Sequence, residues 1–159
     1  MRTQQGFTLI ECMVTIAILA IVISIAAPSF TRVLQNNRAA VLTNELLGSL
    51  QIARSEALKR RTNVLLCRSN TTSDSCENGT DWSSGWRLML GNTILRTWEP
   101  ISGATLVGPS AGMTYQSNGL TTMASGGQAT FTIKTSSTCS LTIQVNTTGN
   151  ASVDSGNCQ

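Results

Sequence analysis

The opening stretch, MRTQQGFTLIECMVTIAILAIVISIAAPSF, constrains this chain more than any other feature. From Phe7 to Phe30 it carries a single charge, Glu11. About 20 consecutive apolar residues cross the hydrocarbon core of a bilayer as one helix. An ordinary secretory signal places its small-residue cleavage site after the apolar run. Here the small residue, Gly6, stands before it. A cut at Gly6 would therefore remove a short polar leader and keep the whole apolar helix. Arg2 lies on the leader side, consistent with a cytoplasmic N-terminus.

Glu11 is the residue that such a helix does not need. A carboxylate inside a membrane helix costs about 2.5–3.5 kcal/mol on insertion scales, which marks it as a functional position. A cut after Gly6 would place a new amine on Phe7, four residues from Glu11 and on the same helical face. The two charges could pair within a chain or between neighbouring chains, or Glu11 could reach lipid headgroups. The position alone leaves these readings open.

The rest of the chain is long enough to bury a core, since about 130 of the 159 residues follow the apolar run. It has no histidine, which removes the commonest general base and metal ligand. Of five cysteines, Cys12 lies in the apolar run and reads as a small packing residue, with lipidation as the alternative. Cys67, Cys76, Cys139 and Cys158 have neither CxxC spacing nor accompanying histidine, so a zinc site is not expected. An even set outside a membrane segment fits two disulfides in an oxidising compartment. Four cysteines allow three pairings; the local one, Cys67–Cys76 and Cys139–Cys158, is preferred here. The terminal bridge would then fasten a tail whose only apolar anchor after Val145 is Val153.

Beyond Pro28, apolar residues recur at Ala39, Leu42, Leu46, Leu50, Ala53 and Ala57, the spacing of a helix with one buried face. Helix is expected from Phe7 to about Arg60, with Glu56 and Arg60 paired at i,i+4 and Lys59, Arg60 and Arg61 suiting its C-terminus. Past Arg61 the pattern is β. TNVLLCR reads as a strand and SDSCENGTDWSSG as a loop. WRLMLGNTILRTW reads as a hairpin turning at Gly91-Asn92, with Trp86, Leu88 and Leu90 alternating with Arg87 and Met89. GMTYQSNG is a further strand, and ATFTIKTSSTCSLTIQVN a second hairpin. Asp74, Asp81 and Asp154 read as turn residues, and Trp82, Trp86 and Trp98 as core. The fold class is α+β: a long N-terminal helix packed on an antiparallel sheet.

The segment Gly6-Phe7-Thr8-Leu9-Ile10-Glu11 resembles the class III leader and cleavage motif of type IV pilins and pseudopilins, G-F-T-L-x-E, and Pro28 matches a proline common there. ARSEALKRR resembles a helix-end signature of the GspH/FimT group of minor pilins and pseudopilins. The resemblance implies that a prepilin peptidase cuts between Gly6 and Phe7 and methylates the Phe7 amine. It implies that Glu11 guides assembly by pairing with a neighbour's N-terminus, and an intact Glu11 speaks against an obligate tip position. Residues 1–6 would be the leader, 7–30 the transmembrane and filament-core helix, and 31–159 a periplasmic head. The implied location is the inner membrane in a single pass, then a pilus or type II secretion pseudopilus. The implied partners are other pilins or pseudopilins, the peptidase and the membrane.

Two other classes of function fit the sequence less well. Some FimT-type proteins are thought to capture DNA through a C-terminal G-R-x-R motif. The comparable place here reads Gly149-Asn150-Ala151-Ser152, and no arginine follows Arg96. Phosphate contacts need cations, so nucleic acid is not an expected partner. An enzyme is not expected either: no catalytic motif, metal site or cofactor signature is present.

Overall fold

The computed structural model describes residues 7–70, 72, 74–123, 127–136, 139–154 and 156. Two compact units divide between Leu34 and Gln35. Helix α1 runs Leu9–Arg60 and includes Pro28. It begins two residues later than the apolar pattern suggests, and the reason is local. Thr8 Oγ1 accepts a hydrogen bond from the Glu11 backbone N–H at 3.3 Å, so Thr8 caps the helix and Phe7 lies outside it.

In the second unit the expected stripe is the buried face of α1. Ala39, Leu46, Leu50, Ala53 and Ala57 are buried, and Leu42 is half-buried. Thr43 and Ser49 are buried among them without loss, because their hydroxyls donate to the Ala39 and Leu46 carbonyls. The helix ends in a Schellman arrangement: Thr62 N–H donates to Ala57 O, and Arg61 N–H to Leu58 O. Arg61 takes the left-handed conformation this requires, with φ 52°.

The strands are β1 (Val64–Arg68), β2 (Trp86–Leu90), β3 (Thr93–Trp98), β4 (Thr105–Val107), β5 (Met113–Tyr115), β6 (Thr121–Thr122), β7 (Ala129–Lys134), β8 (Ser140–Val145) and β9 (Ala151–Asp154). They form two antiparallel sheets, ordered β3-β2-β1-β5-β6 and β4-β7-β8-β9. Both contribute to one core with α1. Trp82 and Phe131 meet edge to face at 5.1 Å, and Trp86 stacks on Trp98 at 5.9 Å. Gly108 makes the first contact possible, since a Cβ there would come within 2.9 Å of both rings.

Three readings of the sequence change. The β2–β3 hairpin turns at Gly91, with φ 58°, as expected. The even alternation along β2 does not hold: Met89 is buried and Leu90 half-buried. A bulge between Leu88 and Met89 shifts the register, because β3 spends an extra residue, Leu95, between the partners of those two. Asp81 is a turn residue, accepting from Ser83 N–H at 2.9 Å, but Asp154 belongs to β9. Val153, the apolar anchor expected after Val145, is 44% exposed. Residues 151–154 pair with β8 through their backbone as β9, a strand not expected from the sequence.

Candidate functional site

Among the described residues, the apolar half of α1 is exposed along its length. Leu9, Ile10, Ile16, Leu19, Ile21 and Ile25 are each more than half exposed. The segment is long and apolar enough to cross a membrane. Two of its hydroxyls are folded back onto their own helix: Thr15 Oγ1 donates to Cys12 O at 2.9 Å, and Ser24 Oγ to Ile21 O at 2.7 Å. Each thereby keeps an acceptor that a hydrocarbon medium would not supply. Cys12 is an exposed free thiol.

At the start of this segment, Gly6 lies outside the described residues. Phe7 is exposed and precedes the first turn of α1, whose one acidic residue is Glu11. A carboxylate at this point interacts favourably with the helix macrodipole. Thr8 and Glu11 have the Thr-x-x-Glu spacing of a capping box. The sequence reading passed over Thr8, although that spacing was there to be read.

In the head, the place compared with a G-R-x-R motif is the β8–β9 turn. Asn146 organises it, accepting from Asn150 N–H at 2.9 Å and Thr148 Oγ1 at 2.7 Å through Oδ1. The Arg54 guanidinium donates to Asn150 Oδ1 at 2.7 Å and to Thr148 O at 3.2 Å. Arg54 is thus a brace between α1 and this turn. Three further arginines are also engaged: Arg60 pairs with Glu56, Arg68 with Glu77 at 3.5 Å, and Arg87 with Asp74 at 3.6 Å. Lys59 and Arg61 are exposed.

Cys67 and Cys76 form a disulfide across the loop after β1. Cys139 is disulfide-bonded; its expected partner, Cys158, lies outside the described residues.

A family model described as Type II transport protein GspH matches residues 42–149, and one described as Prokaryotic N-terminal methylation motif matches residues 1–27. The chain belongs to the GspH family. Its fold is similar to that of the type IV minor pilin FimU of Pseudomonas aeruginosa strain PAO1, solved in two crystal forms. The first match has a TM-score of 0.58 at 21% identity, covering 75% of this chain and 90% of FimU. The second has a TM-score of 0.55 at 21% identity, with 75% and 91% covered. No curated protein sequence matches the chain. This pilin is therefore of the GspH/FimT type, built from a long helix and antiparallel sheets, and its family is one of structural subunits that assemble with other pilins.

Proposed function

We propose that this pilin is cut between Gly6 and Phe7 by a prepilin peptidase, methylated on the Phe7 amine and assembled as a minor pilin or pseudopilin through residues 7–30. In this reading residues 1–6 are the leader. Residues 7–30 hold the subunit in the inner membrane before assembly, and 31–159 form its periplasmic head, where the Cys139–Cys158 bridge joins Cys67–Cys76.

One observation carries the reading. The described apolar side chains of residues 7–25 are exposed, yet a carboxylate sits in the first turn. Lipid or neighbouring helices satisfy the apolar side chains. Glu11 gains a strong partner from an opposite charge, and the Phe7 amine of a neighbouring subunit supplies one after cleavage. Mass spectrometry of the membrane-extracted protein checks the first step. Phe7 is expected as the first residue, carrying one methyl group. An intact Met1, or a cut after Ala26 or Ala27, refutes the processing.

DNA capture gains no support from the head, where Asn150 occupies the motif position and is already bonded to Arg54. A gel shift at physiological salt is expected to show weak binding that falls steeply as salt rises. Tight, salt-resistant binding that survives neutralising Lys59, Arg60 and Arg61 would instead favour the DNA-binding reading.

A further inference from the structure

Where α1 meets the β8–β9 turn, the head has a pocket of about 260 Å³. Gln51 and Arg54 line it from the helix, Tyr115 from β5, and Gly149 and Asn150 from the turn. Among the described residues no carboxylate lines it, so Arg54 makes it positive.

The fold leaves two polar groups here incompletely satisfied. Tyr115 is 1% exposed, yet among the described residues its hydroxyl forms no hydrogen bond. A buried hydroxyl without a partner costs free energy, and the pocket that Tyr115 lines is where a partner can approach. Arg54 is the second. Its Nη1 donates to Asn150 Oδ1 and its Nη2 to Thr148 O, which fixes the plane of the guanidinium. The second hydrogen on each Nη remains to donate, and Nε–H is buried without a partner.

The turn comes this close because residue 149 is glycine. Its φ is 81°, and a Cβ there would lie 3.2 Å from Tyr115 Cε1 and 3.3 Å from Arg54 Nε. Cε1 is bonded to the ring carbon that bears the hydroxyl, so phenol and cation flank the same point of the turn. Burial pushes the phenol's titration up to about 12, which keeps it a donor at neutral pH.

We propose that this pocket binds a carboxylate, the Tyr115 hydroxyl donating to one oxygen and the Arg54 guanidinium to the other. Hydrogen bonds to an ionised acceptor are the strong ones, and a guanidinium already held in place gives up little freedom to make them. A single cation balances one carboxylate charge, whereas a phosphate group near neutral pH carries more. Gln51, exposed at the rim, adds an amide donor. The pocket is smaller than the roughly 300–1,000 Å³ that drug-sized ligands occupy. The carboxylate therefore belongs to a small free acid or to the end of a peptide. The site does not depend on how the pilin assembles.

The test titrates the isotope-labelled full chain in detergent micelles, followed by NMR of the amide and arginine Nε–H signals. The probes are sodium acetate, N-acetylglycine, N-acetylglycinamide and sodium chloride. Acetate and N-acetylglycine are expected to move the Gly119, Gly149 and Asn150 amides and the Arg54 Nε–H saturably, and the other two are not. Tighter binding of N-acetylglycine identifies a peptide end as the source, and equal binding a small free acid. Tyr115→Phe removes a hydroxyl that bonds no described residue, so the head should stay folded, with the amide signals of β1 and β8 unchanged. Acetate binding to that variant should weaken about tenfold, the scale of a hydrogen bond to a charged group. Undiminished binding by the variant, saturation by chloride equal to that by acetate, or no saturable shift with either carboxylate overturns the proposal.

Discussion

Arg54 and Asn150, 96 residues apart in sequence, are joined by a hydrogen bond of 2.7 Å that ties α1 to the β8–β9 turn. Its second arm, to Thr148 O, holds the same turn from the other side. Hydrogen bonds to a charged group contribute about 1.5–3 kcal/mol. Arg54→Ala is therefore expected to destabilise the head by about 2 kcal/mol. Amide exchange should accelerate first in residues 146–154. A uniform rise across both sheets would show that Arg54 supports the whole core instead.

Tyr115, the only tyrosine, gives the head an alkaline limit. Burial pushes its phenol up to about 12, and Arg54 opposes that rise only in part. The folded state therefore holds the proton more tightly than the unfolded one, whose tyrosine titrates near pH 10. This contribution is fully present below about pH 10 and is lost as the pH rises through about 12. Tyrosinate absorbance followed with pH is expected to appear late and together with unfolding. Tyr115→Phe should remove this step in stability between those pH values. An early, reversible titration with the fold intact would contradict it.

Arg61 adopts a conformation that suits glycine better. The left-handed region costs an L-residue about 1–2 kcal/mol, partly offset by the greater unfolded-state freedom of glycine. Arg61→Gly is expected to stabilise the head by about 0.5–1 kcal/mol in chemical denaturation. Destabilisation would mean that the Arg61 side chain makes a contribution larger than its backbone strain.

Glu11 is expected to matter for assembly and not for insertion. Glu11→Ala removes a charge that costs about 2.5–3.5 kcal/mol in a membrane helix, so membrane integration should hold or improve. Incorporation into sheared filaments should fall. Normal incorporation would reduce Glu11 to a partner of the Thr8 cap.

The apolar run, the buried stripe from Ala39 to Ala57, the Gly91-Asn92 hairpin and the motif around Glu11 were all legible in the sequence. Each depends on residues close together in the chain, where helical or strand periodicity and turn chemistry act directly. The Cys67–Cys76 bridge was reachable for the same reason, since its ends are only nine positions apart. Tertiary structure decided the rest. Strand β9 forms because β8 offers it an edge; its Ala-Ser-Val-Asp alternation runs for only four residues and buries none of them fully. The bulge beside Met89 follows from fitting β3 to a neighbour of different length. Nothing local in the sequence marks a partner for Arg54; only the folding of a turn 96 residues away supplies one. The pocket beside Arg54 and Tyr115 likewise exists only where that distant turn returns to α1. Such features depend on which segments meet, and that is set by the packing of the whole core.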